Sequence, residues 1–348
     1  MNKKVLILGV NGFIGSSLVW KLLKQTSFDI VGMDLASTKL GNVIKSSRFR
    51  FETVDALKNP EAIDRAIAEC DIVLPLIAIA TPALYVKDPL RVYNLDFELN
   101  AGIIKTCARL GKRVIFPSTS EVYGMCPDAA FDEYSSPLVL GPIKNERWIY
   151  SCIKQMLDRL IWALGKHEGL QFSIFRPFNF IGPRLDNINA KKEGSSRVIT
   201  QFAHNILNGK PIKLVNGGVQ KRCFTFIDDG IDCLVRIIEN KNGCADSEIF
   251  NIGNPREEYS IKELAEMLVA AFAEYPEYAH FAEAAKIEVV SGDEYYGEGY
   301  QDADRRVPSV KHAEEVLGWT PTTDLKTSIK RILDFHLLGK DYEDCIQG

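Results

Sequence analysis

Tyr150 and Lys154, in the stretch RWIYSCIKQM, stand four apart, which on a helix is one turn and a little, so both face the same way. A phenol titrates at about 10 and is a poor base at neutral pH, but an ammonium one turn away favours the phenolate. Such a pair can take a proton from an alcohol. Upstream, FPSTSEVYG supplies Thr119, Ser120 and Glu121, two hydroxyls and a carboxylate, at what reads as the carboxyl end of a strand, where ligands of α/β sheets bind. Y-x-x-x-K alone is a common accident on helix surfaces. Its weight comes from this hydroxyl and acid cluster ahead of it.

Removing hydrogen from an alcohol also needs an acceptor for the electron pair, and the chain opens with a place for one. A first strand runs into Gly9-Val-Asn11-Gly12-Phe13-Ile14-Gly15 and then an apolar-periodic helix. The first glycine allows a tight turn, the second lets the backbone approach a pyrophosphate, and the third lets helix pack on strand. The helix N-terminus then faces the anion. Asp34 ends the second strand, where a carboxylate accepts from both ribose hydroxyls of NAD and repels a 2′-phosphate, favouring NAD over NADP. Asp55, ending the third strand, is expected near the adenine, and Ala78 after the fourth offers a small side chain where the cofactor passes. The positive nicotinamide ring adds to the effect of Lys154 on Tyr150, and the same lysine can hold the nicotinamide ribose.

These groups must be held by a sheet. Short β-rich runs (Lys4–Leu8, Asp29–Met33, Phe49–Val54, Asp71–Ile77, Arg113–Phe116, Gln171–Phe175) alternate with segments long enough for helices, the pattern of a doubly wound parallel sheet. Leu90–Leu110 and Arg147–His167 carry apolar residues at helical spacing. After Arg176 proline and glycine punctuation thickens, which predicts a smaller lobe, while Ile249–Ile252 is apolar enough to return to the main sheet. Ser260 with Glu263 predicts a capping box opening a helix to about Phe272. The expected fold is α/β, a Rossmann-type sheet over residues 1–178 plus about 224–254, with a discontinuous substrate-binding α/β lobe from 179–223 plus about 255–348.

Composition narrows the partners. With 348 residues, 46% hydrophobic and 25% charged, net charge −4 and a pI near 5.9, the chain has no basic footprint for nucleic acid. The longest apolar run, from Ile72, is short for a bilayer span and broken by prolines, and the apolar start breaks at Gly9 without a cleavage signal. No membrane segment is expected. Eight scattered cysteines lack a CxxC pair, so neither zinc nor a disulfide framework is predicted, and reduced cytoplasmic thiols are the plain reading.

The glycine loop, Asp34, Thr119, Tyr150 and Lys154 together resemble the extended short-chain dehydrogenase/reductase family, the NAD-dependent nucleotide-sugar epimerases, dehydratases and decarboxylases. The resemblance covers essentially the whole chain. Family 4,6-dehydratases have an Asp-Glu pair after the threonine, and epimerases usually lack the glutamate; this chain has Ser120-Glu121. STSEVYG, RWIYSCIKQ, FRPFNFIGPRLDN, SSRVITQF, IKLVNGGVQKRCFT and YYGEGYQDADRR are similar to the UDP-glucuronic acid decarboxylase domains of bifunctional polymyxin-resistance enzymes. Those enzymes carry a formyltransferase domain ahead of the decarboxylase, and this sequence starts at the decarboxylase, so their hexameric assembly is not carried over. Plant UDP-apiose/UDP-xylose synthases share many segments but have a cysteine in place of Ser120.

The resemblance implies that Thr119, Tyr150 and Lys154 serve oxidation of a sugar alcohol, and that Ser120, Glu121 and Arg306 serve decarboxylation. Without it, Arg306 reads as a surface arginine, with Arg305 its competitor. It also implies UDP contacts from Asn179, Arg197, Lys213 and Arg222, Tyr300 over the substrate, and Tyr85 near sugar and cofactor. Trp148 and Trp162 are expected in the core or a dimer interface, since family members commonly dimerise through their two long helices. The function so implied is conversion of UDP-glucuronic acid to UDP-4-keto-pentose with release of CO2 and NADH. Re-reduction of the ketone to UDP-xylose stays open, as do a 4,6-dehydratase and a non-catalytic NAD-binding regulator.

Overall fold

The computed structural model describes residues 2–189, 197–296 and 301–346. Six strands, β1 (Lys4–Leu8), β2 (Asp29–Asp34), β3 (Phe49–Thr53), β4 (Ile72–Pro75), β5 (Arg113–Pro117) and β6 (Phe172–Pro177), join β7 (Glu248–Ile252) in one sheet. Its order is β3-β2-β1-β4-β5-β6-β7, with parallel pairing throughout. A parallel sheet is covered on both faces, which is why its strands read as unbroken apolar runs. Period-two alternation then divides them: Val5 and Ile7 join a core with Leu18, Leu22, Ile231 and Leu234, while Leu6 and Leu8 join the opposite core with Ile63, Ile104, Leu157 and Ile161. The chain reverses direction across the sheet between β1 and β4, and a crevice opens at their carboxyl ends.

One predicted helix is not uniform. The spacing predicts Leu90–Leu110 as a single helix, but the chain makes one α-helical turn at Pro89–Val92, winds as a π-helix over Tyr93–Leu99, and returns to α-helix over Asn100–Arg109. Asn100 explains the widening: its buried side-chain amide donates to the carbonyls of Ile77, Leu95 and Asp96 at 3.2, 3.3 and 3.1 Å, inserting into the helical ladder. The bulge leaves Asp96 fully buried, with its Oδ1 accepting from the Ile79 amide at 2.8 Å.

Beyond β6, helices Val198–Leu207, Ile261–Ala273 and Leu325–Leu337 share a third core through Phe202, Ile206, Leu264, Leu268, Phe272 and Ile329. Ser260 and Glu263 form the expected capping box, with Glu263 N donating to Ser260 Oγ at 3.1 Å and Ser260 N to Glu263 Oε2 at 2.7 Å. Trp148 is 4% exposed and donates to Gln301 Oε1 at 3.1 Å. Trp162 is 45% exposed with Met156 at 52% on the same helix. Among the described residues no helix is long and apolar enough to cross a membrane.

Candidate active site

The loop after β1 has the tight geometry its glycines allow. Gly9 has φ +83°, and a Cβ there would stand 3.0 Å from the Leu76 carbonyl carbon; at Gly15 it would stand 2.7 Å from the Gly9 oxygen. Gly12 caps the helix Phe13–Gln25 without a side-chain hydrogen bond, so first-turn amides stay available to a ligand. Gly9, Gly12, Asp34, Asp55 and Ala78 line a cavity of about 240 Å³. Asp34 accepts from the amides of Asn11 at 2.8 Å and Leu35 at 2.7 Å. Asn11 in turn accepts from Lys39 N at 2.7 Å, and Phe13 and Ile14 pack into the core, leaving only their backbone for a cofactor. A backbone cradle that a methyl would fill, an uncapped helix end and an acid at the strand end fit a dinucleotide such as NAD.

At the end of β5, Thr119 caps a single 3₁₀ turn, Ser120–Tyr123, and accepts from Glu121 N at 3.2 Å. Its side chain also eases ionisation of the Tyr150 phenol. Tyr150 and Lys154 point inward from the helix Ile149–Glu168, 6% and 1% exposed. Tyr85 stacks on Tyr150 at 4.7 Å and 7°.

Burial, and next the carboxylates of Asp96 and Glu121, push the Tyr150 phenol well above the ordinary range, against smaller opposing effects of Thr119 and Arg197. The Lys154 ammonium donates to the Pro117 carbonyl at 2.8 Å and sits 5.8 Å over the centre of the tyrosine ring. Burial lowers the pKa of Lys154 itself, with Asp96 and Asp158 opposing. Asp96 is raised to about 6 by burial, its attraction to Lys154 only partly compensating.

Beside this group lies a second cavity of about 230 Å³, lined by Glu121, Asn179, Arg197, Lys213, Arg222 and Arg306, and also by Arg147 and Asp302, for which the sequence predicts no role. Four of these close a ring of alternating charge. Arg147 bonds Glu121 Oε2 and Asp302 Oδ1, both at 3.1 Å; Arg306 bonds Glu121 Oε1 at 3.3 Å and Asp302 Oδ1 at 2.7 Å. Arg222 joins through Asp302 Oδ2 at 2.7 Å. Burial alone would raise both acids, but the guanidiniums outweigh it and hold Glu121 and Asp302 below the usual carboxylate range. Arg306 is 4% exposed, and its Nε has no hydrogen-bond partner among the described residues. Arg305, by contrast, pairs with Glu258 at the surface.

Asn179, at φ +38°, donates to the Cys223 carbonyl at 3.2 Å, and Arg197, 44% exposed at its side chain, pairs with Asp186. Ser120 is buried. Tyr300 lies outside the described residues. Arg147 left one signal in the sequence, a cation one helical turn before Tyr150; Asp302 left another, an acid four before Arg306. Neither spacing by itself predicts that the pairs converge. Among the described residues no cluster of His, Cys, Asp and Glu could hold a metal ion.

A family model described as the NAD dependent epimerase/dehydratase family matches residues 5–253. The chain belongs to that family. NAD is the cofactor membership carries, and the activity is of the epimerase/dehydratase type on nucleotide sugars. Among solved structures, PbgP3 from Burkholderia pseudomallei is 46% identical over 99% of both chains, with a TM-score of 0.89. UDP-glucuronic acid 4-epimerase from Bacillus cereus, solved with UDP-glucuronic acid and NAD, is 23% identical over 97% of this chain and 100% of its own, TM-score 0.80. The dTDP-glucose 4,6-dehydratase from Bacillus anthracis, in complex with NAD, is 18% identical over 99% and 100%, TM-score 0.77. At those last identities the likeness is one of fold, an arrangement several chemistries share.

Proposed function

We propose that this family member is an NAD-dependent UDP-glucuronate decarboxylase yielding UDP-4-keto-pentose and CO2, with NADH released. The observation that carries the reading is the Arg306–Glu121 contact at 3.3 Å: a buried arginine on the cavity wall brings there a charge complementary to a carboxylate. The Bacillus cereus relative is solved with UDP-glucuronic acid, which supports a uronate ligand on this fold.

Bound NAD supplies the hydride acceptor for carbon 4, held by the glycine loop and Asp34. Tyr150 takes the 4-hydroxyl proton, Thr119 hydrogen-bonds the same oxygen, and Lys154 supports the phenolate. A ketone at carbon 4 makes the substrate a β-keto acid. The bond between carbons 5 and 6 then breaks, CO2 leaves, and its electron pair becomes an enolate whose oxygen Thr119 and Tyr150 stabilise. Protonation at carbon 5 completes the product, with Glu121, Ser120 and Arg306 positioned for that half. Asn179, Arg197, Lys213, Arg222 and Tyr300 hold UDP and sugar, and Tyr85 borders both ligands. On this reading residues 1–178 with about 224–254 bind NAD, and 179–223 with about 255–348 bind the UDP-sugar. The enzyme is a cytoplasmic homodimer, its interface including the exposed Met156 and Trp162.

Incubation with UDP-glucuronate and NAD, following NADH absorbance, CO2 and the pentose product, tests this. Equal NADH and CO2 are expected. UDP-xylose without net NADH would mean that the hydride is returned; dehydration of a UDP- or dTDP-hexose would favour the dehydratase; no turnover would leave an NAD-binding regulator.

Two smaller results follow. Asp34→Ala should weaken NAD binding by about tenfold and narrow the preference over NADP, since about 1.4 kcal/mol of hydrogen bonding to the ribose is lost; titrating both cofactors checks it. Asp96→Asn removes the charge that raises Tyr150 after burial, so the rising limb of the pH profile for NADH formation should move to lower pH. A limb that stays put would rule out that electrostatic link.

A further inference from the structure

We propose that Asp302 is a positioning residue, holding Arg306 and Arg147 in the orientation that receives the sugar carboxylate and linking that orientation to the diphosphate end through Arg222. The inference rests on the decarboxylase reading and goes beyond it, because Asp302 is given no contact with substrate.

The geometry is specific. One Asp302 oxygen takes Arg306 at 2.7 Å and Arg147 at 3.1 Å, and the other takes Arg222 at 2.7 Å. The arginine side chains are 5%, 1% and 7% exposed, so their charges are largely removed from water, while Asp302 is 26% exposed on the cavity wall. Three like charges at such spacing repel unless carboxylates separate them. Among the described residues the Glu121 carboxylate pairs with Arg147 and Arg306, whereas that of Asp302 pairs with all three.

Both arginines of the ring are forked, one terminal nitrogen on Glu121 and the other on Asp302. A guanidinium held at both terminal nitrogens cannot rotate about its plane. The Arg306 Nε is itself buried and without a hydrogen-bond partner among the described residues. Removing Asp302 frees one end of each fork while leaving Glu121 in place. It also turns a cluster of three cations and two anions into one of three cations and a single anion, more positive by one charge. Geometry and charge therefore act in opposite directions on an anionic substrate: orientation is lost, attraction is not.

That opposition supplies the test. Asp302→Asn keeps the shape and removes the charge; kcat for CO2 release from UDP-glucuronate should fall by about a hundredfold, as misplaced groups cost on this order, while KM stays level or falls. Binding of UDP alone, measured by calorimetry, should be kept within about threefold, since Arg222 remains and about threefold is the scatter of context. Asp302→Glu, which retains the carboxylate, should recover a substantial part of kcat. A kcat for Asp302→Asn equal to wild type would overturn the inference. So would joint loss of kcat, UDP binding and melting temperature that Asp302→Glu does not relieve, because that is what a purely structural acid predicts. If wild type itself releases no CO2, the decarboxylase reading falls and takes this inference with it; if wild type does and Asp302→Asn matches it, only the inference falls.

Discussion

Replacing Tyr150 with phenylalanine is expected to lower turnover by about three orders of magnitude, the range for loss of a general base, while NAD and UDP binding persist. The substitution removes one oxygen and keeps the ring, so the stacking on Tyr85 at 4.7 Å is retained. What is lost is the acceptor for the 4-hydroxyl proton and the partner of Thr119. Burial and two nearby acids hold this phenol high in the protein alone; on the proposed mechanism the positive cofactor ring and Lys154 favour the phenolate that accepts the 4-hydroxyl proton. Single-turnover NADH absorbance and a cofactor titration measure both halves, and an unchanged turnover would remove Tyr150 from the mechanism.

Arg306→Ala should separate the two halves of the reaction. On the proposed mechanism hydride removal does not require this arginine and loss of CO2 does, so up to one NADH per site should form with far less CO2; equal NADH and CO2 at the wild-type rate would sink the role. Breaking a buried ion pair also costs stability, about 3–5 kcal/mol when one partner is removed, so Arg306→Lys, which keeps the charge and loses the fork, is the companion variant. The ring predicts a further change. Glu121 is held below its ordinary pKa against burial by Arg147 and Arg306. A depressed carboxylate contributes stability above its unfolded pKa and loses it as pH falls through the folded value. Without Arg306 the folded value rises towards the unfolded one, that contribution shrinks, and acid unfolding should begin at higher pH than in wild type, as circular dichroism would record.

Much of the framework was legible because it is local. Lys4–Leu8, the glycine spacing and the Ser260–Glu263 box follow from strand periodicity, turn geometry and capping over a few residues. The single long helix expected from Leu90 failed for a nonlocal reason: Asn100 bonds back to Ile77 as well as within its own turn, and apolar spacing carries no trace of that. The surroundings of Lys154 were not legible either, since the shared helix face is real but the ammonium also donates to Pro117 across 37 residues.

By itself the sequence determined the parallel sheet, the dinucleotide loop and the inward pair Tyr150 and Lys154, all set by short-range spacing. Only the tertiary structure decided that Glu121 and Arg306, 185 residues apart, meet, that Arg147 and Asp302 close their ring, and that Arg305 does not enter it. The reason is physical: buried charges are stable only in company, and which charges keep company depends on where distant segments cross.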